Sequence, residues 1–143
     1  MTSLPNNAAV KKVFTDPNTG LLSARQGRLP KLFLELSTIE VSTAKEVLDH
    51  VEQSGLGHFV DAPVSGGIPA AHNGTLTFMV GGTKEHFDQA KPILALMGKE
   101  DNIIFCGPPG AGLATKQINN YVAYVSYIAL CEGRRTRYNA CQT

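Results

Sequence analysis

KLFLELSTIEVSTAKEVLDHVEQSGLGHFVDA, residues 31–62, changes its hydrophobic period twice. Lys31 to Leu36 is a short apolar run of strand length. Ser37-Thr38-Ile39-Glu40 has the spacing of a capping box, which predicts Ser37 as an N-cap and Glu40 as its reciprocal partner. Val41, Ala44, Val47, Leu48 and Val51 then recur at helical spacing with Glu, Lys and Asp opposite, so an amphipathic helix runs on to a stop near Gly55. His58 to Ala62 returns to strand character. A strand, a helix and a strand in this order predict an α/β fold with at least part of its sheet parallel.

The alternation continues on both sides. Asn7 to Thr15 carries Ala8, Ala9, Val10, Val13 and Phe14 as a short helical stripe, closed by the turn signal Asp16-Pro17-Asn18-Thr19-Gly20. Downstream, Pro63 to Gly74 reads as a loop, and Thr75 to Val80 as a strand stopped by Gly81-Gly82. Thr83 caps a helix with Phe87, Ala90, Ile93, Leu94 and Met97, which Pro92 is expected to interrupt or restart. Asn102 to Cys106 reads as a further strand. The loop Gly107-Pro-Pro-Gly-Ala-Gly112 opens a last helix from about Leu113 to Cys131. That helix is apolar on too many faces to be solvated alone, and the polar tail from Gly133 offers it no cover. The chain therefore reads as a piece of a larger fold.

Composition narrows the function. Thirteen Lys and Arg against twelve Asp and Glu leave a formal charge of +1 over 143 residues, which gives no electrostatic reason to bind nucleic acid or an anionic membrane. The longest apolar stretch, Tyr121 to Cys131, is too short to span a bilayer. Cys106, Cys131 and Cys141 form no even disulfide set and no CxxC pair, so a reducing compartment is expected. No basic, apolar leader opens the chain, so no targeting segment is expected in it. His50, His58, His72 and His86 have no ligand spacing, so no metal site is expected.

The glycine motifs fail as nucleotide loops. GPPGAG begins like a Walker A sequence, but its Lys and Ser/Thr positions hold Leu113 and Ala114. Gly110-Ala-Gly112 begins like a dinucleotide fingerprint, but Thr115 takes the third glycine position and Glu132 would end a helix. Lys116 and Asn120 stand one turn apart on one face of the last helix. Such a pair can grip a hydroxyl or carbonyl oxygen, and a desolvated Lys can exchange protons near neutral pH. The bland alternative is a wet Lys beside an Asn. Ser65-Gly66-Gly67 can turn backbone N–H groups toward an anion such as a carboxylate, or simply form a tight turn. Asp61 reads as a structural acid at a strand end.

These segments occur together in a familiar order. Phe59-Val-Asp-Ala-Pro-Val-Ser-Gly-Gly67 with Ala70-Ala-His-Asn-Gly-Thr-Leu-Thr-Phe-Met-Val-Gly-Gly82 resembles the substrate-binding signature of the β-hydroxyacid dehydrogenase family. Gly110-Ala-Gly-Leu-Ala-Thr-Lys-Gln-Ile-Asn-Asn120 resembles that family's catalytic-lysine motif, and Leu36-Ser-Thr-Ile39 and Leu4-Pro5-Asn6-Asn7 its cofactor-side loops. The similarity is strongest to the 3-hydroxyisobutyrate dehydrogenase branch. It implies an α/β chain holding the second half of a Rossmann-like NAD(P)-binding domain over residues 1–109. It also implies the start of a long interdomain helix over 110–132 and a tail outside the family at 133–143, with the family's all-helical C-terminal domain missing.

The same resemblance implies that Lys116 is the catalytic acid/base and that Ser65, Gly66, Gly67 and Asn120 hold a small 3-hydroxy acid. Leu4, Pro5 and Thr38 would contact NAD or NADP, while Ala9 replaces a further contact that is often Asn. The family's first mononucleotide-binding half has no counterpart in this sequence, so an impaired NAD(P)-dependent oxidoreductase is expected. A mitochondrial or cytoplasmic location follows from the same resemblance. The rivals are an inactive binding fragment, self-associating or pairing through the 113–131 helix, and a glyoxylate or tartronate semialdehyde reductase.

Overall fold

The structure is a computed structural model that describes residues 1–24 and 30–140, with Cys141 among the positions outside it. Strand β1 (Lys31–Glu35), helix α2 (Val41–Ser54) and strand β2 (Gly57–Asp61) form the expected unit, preceded by helix α1 (Asn7–Thr15). β1 and β2 pair in parallel from Lys31 opposite Gly57 to Glu35 opposite Asp61. β2 then meets β4 (Leu76–Gly81) antiparallel at Asp61 and Gly81, and β5 (Gly98–Gly107) lies parallel to β4. The result is a five-stranded mixed sheet.

Alternate residues of β1 and β2 feed two separate cores, because successive side chains of a strand point to opposite faces. Phe33 and Phe59 pack with Val10 and Phe14 of α1 and with Val47 and Val51 of α2. Leu34 and Val60 pack on the other side with Phe78, Val80 and Ile103, under Phe87, Ala90 and Leu94 of α4 (Lys84–Leu94). Both faces are covered, which is why KLFLEL reads as a nearly continuous apolar run. Phe14 meets the rings of Phe33 and Phe59 at 5.8 and 5.9 Å between centroids, a favourable aromatic spacing.

Local signals set the helix ends. Asn6 Oδ1 accepts from the Ala9 N–H at 2.9 Å and starts α1, and Thr83 Oγ1 accepts from the His86 N–H and starts α4. Gly55, at φ 65°, closes α2 in the left-handed region that glycine tolerates best.

Four expectations need correction. Ser37 is not the N-cap of α2: the cap is Glu40, with no side-chain capping bond, and the Ser37 hydroxyl is taken by a partner far away in sequence. Pro92 does not interrupt α4, which continues to Leu94 and ends there. The 63–74 loop contains a two-residue strand, β3 (Val64–Ser65), paired with β4, and a short helix, α3 (Gly67–His72). Finally, the last helix, α5, runs from Ala111 to Ala140 and takes in the polar segment after Gly133.

Candidate functional site

β2 ends in Asp61, which is fully buried. Its Oδ1 accepts from the Gly110 N–H at 2.7 Å and its Oδ2 from the Leu113 N–H at 2.9 Å. A helix start leaves N–H groups without partners and carries partial positive charge, so a carboxylate is the natural cap. Burial pushes the Asp61 carboxyl above the ordinary carboxylate range, and the donated N–H groups oppose that push. The glycine-rich loop 107–112 is thus the entry to a capped helix. Its glycines allow close approach: a methyl at Gly112 would lie 2.2 Å from the Met79 carbonyl oxygen. The first turn of α5 therefore sits directly on β4.

One turn further, Lys116 is 7% exposed, and no hydrogen bond or ion pair reaches it among the described residues. Burial alone pushes its ammonium below the ordinary lysine range. Asn120, a turn later, is half-buried. Between them Gln117 donates from Nε2 to the Ile39 carbonyl at 3.1 Å, tying α5 to the loop that leaves β1.

Both partners of that bond line a cleft of about 450 Å³, within the ordinary range of small-molecule sites, walled also by Pro5, Asn6, Thr38 and Glu40. Pro5 and Thr38, 33 positions apart, are brought to one wall. Leu4 is placed differently. Its side chain packs against the α1–α2 core, and its backbone N–H donates to Ser37 Oγ at 2.6 Å. Gln117 was not legible as a wall residue, because only its neighbour Lys116 carries a chemical signal.

Ser65 lies opposite Thr77 on β4, while Gly112 of α5 rests on Met79 and Gly81 of the same strand. One strand thus anchors the Ser65 loop and the lysine helix. Gly66 and Gly67 have φ of 129° and 63°, conformations that other residues rarely adopt, and a Cβ on Gly66 would collide with that of Ala70. The Ser65-Gly66-Gly67 loop does not line the 450 Å³ cleft. His58 and His86, separate in sequence, stack with centroids 4.1 Å apart. Among the described residues no group of three His, Cys, Asp or Glu could hold a metal, and no helix is long and apolar enough to cross a membrane.

A mixed α/β sheet with a cleft beside the strand-end loops defines a nucleotide-binding type of domain. The chain belongs to the family described as the NAD binding domain of 6-phosphogluconate dehydrogenase, whose pattern matches residues 1–107. It is similar to the mitochondrial 3-hydroxyisobutyrate dehydrogenase of Mus musculus, at 39% identity over 92% of this chain and 38% of that protein. Among solved structures it resembles the Mycobacterium tuberculosis 3-hydroxyisobutyrate dehydrogenase with L-serine, with a TM-score of 0.81 and 42% identity over 92% of this chain and 42% of that one. It also resembles Psf3 in complex with NADP+ and 2-OPP, with a TM-score of 0.73 and 27% identity over 82% and 40% of the two chains. The chain spans about two-fifths of the length of these relatives.

Proposed function

We propose that this chain supplies the cofactor-side cleft and the proton-transferring helix of an NAD(P)-dependent 3-hydroxy acid oxidoreductase of the 3-hydroxyisobutyrate dehydrogenase type. The observation that carries the reading is Lys116. It is buried, free of any carboxylate, and adjacent in sequence to a residue of the cleft wall. A lysine held this way loses its proton more readily than a solvated one, as an acid/base group working near neutral pH requires.

The cleft suits part of a dinucleotide. Asn6, Thr38 and Gln117 offer hydrogen bonds, and Pro5 offers an apolar surface. These residues suit one portion of NAD or NADP. A bound nicotinamide would supply the hydride acceptor for the hydroxyl-bearing carbon of the substrate. Lys116 acts as the group that takes the hydroxyl proton as the carbonyl forms, converting 3-hydroxyisobutyrate to methylmalonate semialdehyde, a step of valine catabolism. Ser65, Gly66 and Gly67 receive the substrate carboxylate, and Asn120 steadies its hydroxyl. L-serine, present with the M. tuberculosis relative, has the same pairing of a carboxylate with a 3-hydroxyl. The Mus musculus relative is mitochondrial, which favours that compartment for this chain.

The test is an NMR titration of the chain with NAD+ and then 3-hydroxyisobutyrate, paired with turnover read from nicotinamide absorbance. NAD+ shifts Thr38 and Gln117, the acid shifts Ser65 to Gly67, and Lys116→Met removes the slow turnover. Shifts confined to other surfaces, or turnover unchanged in Lys116→Met, refute the reading. The exposed α5 face supports a second reading, an interaction fragment: Tyr121, Tyr124 and Tyr127 are each about two-thirds exposed. Such a fragment binds neither ligand.

A further inference from the structure

The loops that carry Pro5 and Thr38 are joined from behind by a carboxylate that the proposed chemistry does not use. Glu35 is the last residue of β1 and is fully buried. Its Oε1 accepts from the Ser37 N–H at 2.8 Å, and its Oε2 accepts from the Thr2 hydroxyl. Ser37, 3% exposed, turns its Oγ to the Leu4 N–H at 2.6 Å. Thr2 is also held by backbone bonds, its N–H donating to the Leu34 carbonyl and its own carbonyl accepting from the Leu36 N–H. Residues 2–4 and 35–37 are therefore laced together three ways. The two cleft-wall residues, Pro5 and Thr38, are the next positions along each strand of the lacing.

A buried carboxylate needs donors for its lone pairs, and here the donors come from both loops. We infer that Glu35, through the Thr2 hydroxyl, and Ser37, through the Leu4 N–H, are positioning residues that together fix the separation of the Pro5 and Thr38 lips and so set cofactor affinity. The inference rests on the reading of the cleft as the cofactor side. Glu35 is behind the cleft wall and touches no ligand itself. Its effect is preorganisation: lips held in place need not be ordered when the ligand arrives.

Ser37→Ala cuts the bond to Leu4 while leaving Glu35 in place. Thr2→Val removes the hydroxyl at the other lip and repeats the test should the first variant fail to fold. Glu35→Gln is the conservative control, since its amide oxygen still accepts from Ser37 while the Thr2 hydroxyl reverses to accept from the amide nitrogen. The Kd for NAD+ is read on the whole chain from the NMR shifts of Thr38 and the Gln117 side-chain amide. These signals report folded molecules only, so a simple loss of stability leaves the Kd unmoved. Ser37→Ala and Thr2→Val are expected to raise Kd about tenfold, the scale of one lost hydrogen bond. Glu35→Gln is expected to stay within about twofold of the unmodified chain. Unchanged Kd in both loop variants, with the unmodified chain responding normally, overturns the positioning role alone. No response to NAD+ at Thr38 or Gln117 in the unmodified chain overturns the cofactor reading, and the inference with it.

Discussion

Asp61→Ala should separate α5 from the sheet. The carboxylate holds two N–H groups, of Gly110 and Leu113, in a fully buried setting. A buried hydrogen bond to a charged group contributes about 1.5–3 kcal/mol, so the pair contributes about 3–6 kcal/mol. Burial penalises the charge, as the upward push on its pKa indicates, and the net loss on truncation falls to about 3–5 kcal/mol. Against a total of about 5–15 kcal/mol for a domain of ordinary size, that is a large fraction. Asp61→Asn keeps one acceptor and turns an N–H toward the other donor, so it falls between Ala and the unmodified chain. Urea denaturation followed by far-UV circular dichroism measures both. The pH dependence supplies an independent check. The folded chain keeps the Asp61 proton to a higher pH than the unfolded chain, so stability falls as pH rises from the ordinary carboxylate range through the raised value. Asp61→Asn should abolish that fall. An Asp61→Ala loss under about 1 kcal/mol, the worth of one ordinary neutral bond, would refute the capping role.

Three further outcomes are expected. Gly112→Ala drives a methyl into the Met79 carbonyl and should cost about 3 kcal/mol or prevent folding, seen as a lost or lowered urea midpoint. Lys116→Met should raise the midpoint at neutral pH. The unfolded chain binds the lysine proton more tightly than the folded one, so stability rises with pH between the lowered value and the ordinary lysine range, and the Met variant lacks that rise. Val122→Glu, Val125→Glu and Ile128→Glu replace exposed side chains, so each should change stability by no more than about 0.5 kcal/mol while dispersing any self-association seen by sedimentation.

The elements with an unambiguous period were legible in the sequence: α1, the β1–α2–β2 unit and β4 stand within a few residues of their expected places. The 63–74 segment was not, because a two-residue strand and a six-residue helix are too short to show a period. Ser37 misled for a different reason. Its spacing to Glu40 is that of a cap, but its hydroxyl serves Leu4, 33 residues away, and no local pattern registers a distant competitor. Glu35 did leave a signal, as the lone acid of an apolar strand, and the apolar run around it masked its meaning. Pro5 and Thr38 were linked by resemblance, and the lacing behind them emerges only when residues 2–4 lie beside β1.

α5 is rooted over a short length. Asp61, the Gly112 contact and the Gln117 bond all fall within its first turns, and every residue from Tyr121 to Tyr138 is exposed. At 1.5 Å per residue, the part beyond Gln117 is a lever of about 35 Å. A tilt of about 5° at the root would then carry the far end through about 3 Å. Gln117 is both the outermost bolt of that root and a wall of the cleft. A change in cleft width too small to repack the sheet would be magnified at the distal end of the helix, where Arg134, Arg135 and Arg137 would sweep through solvent like the tip of a pointer.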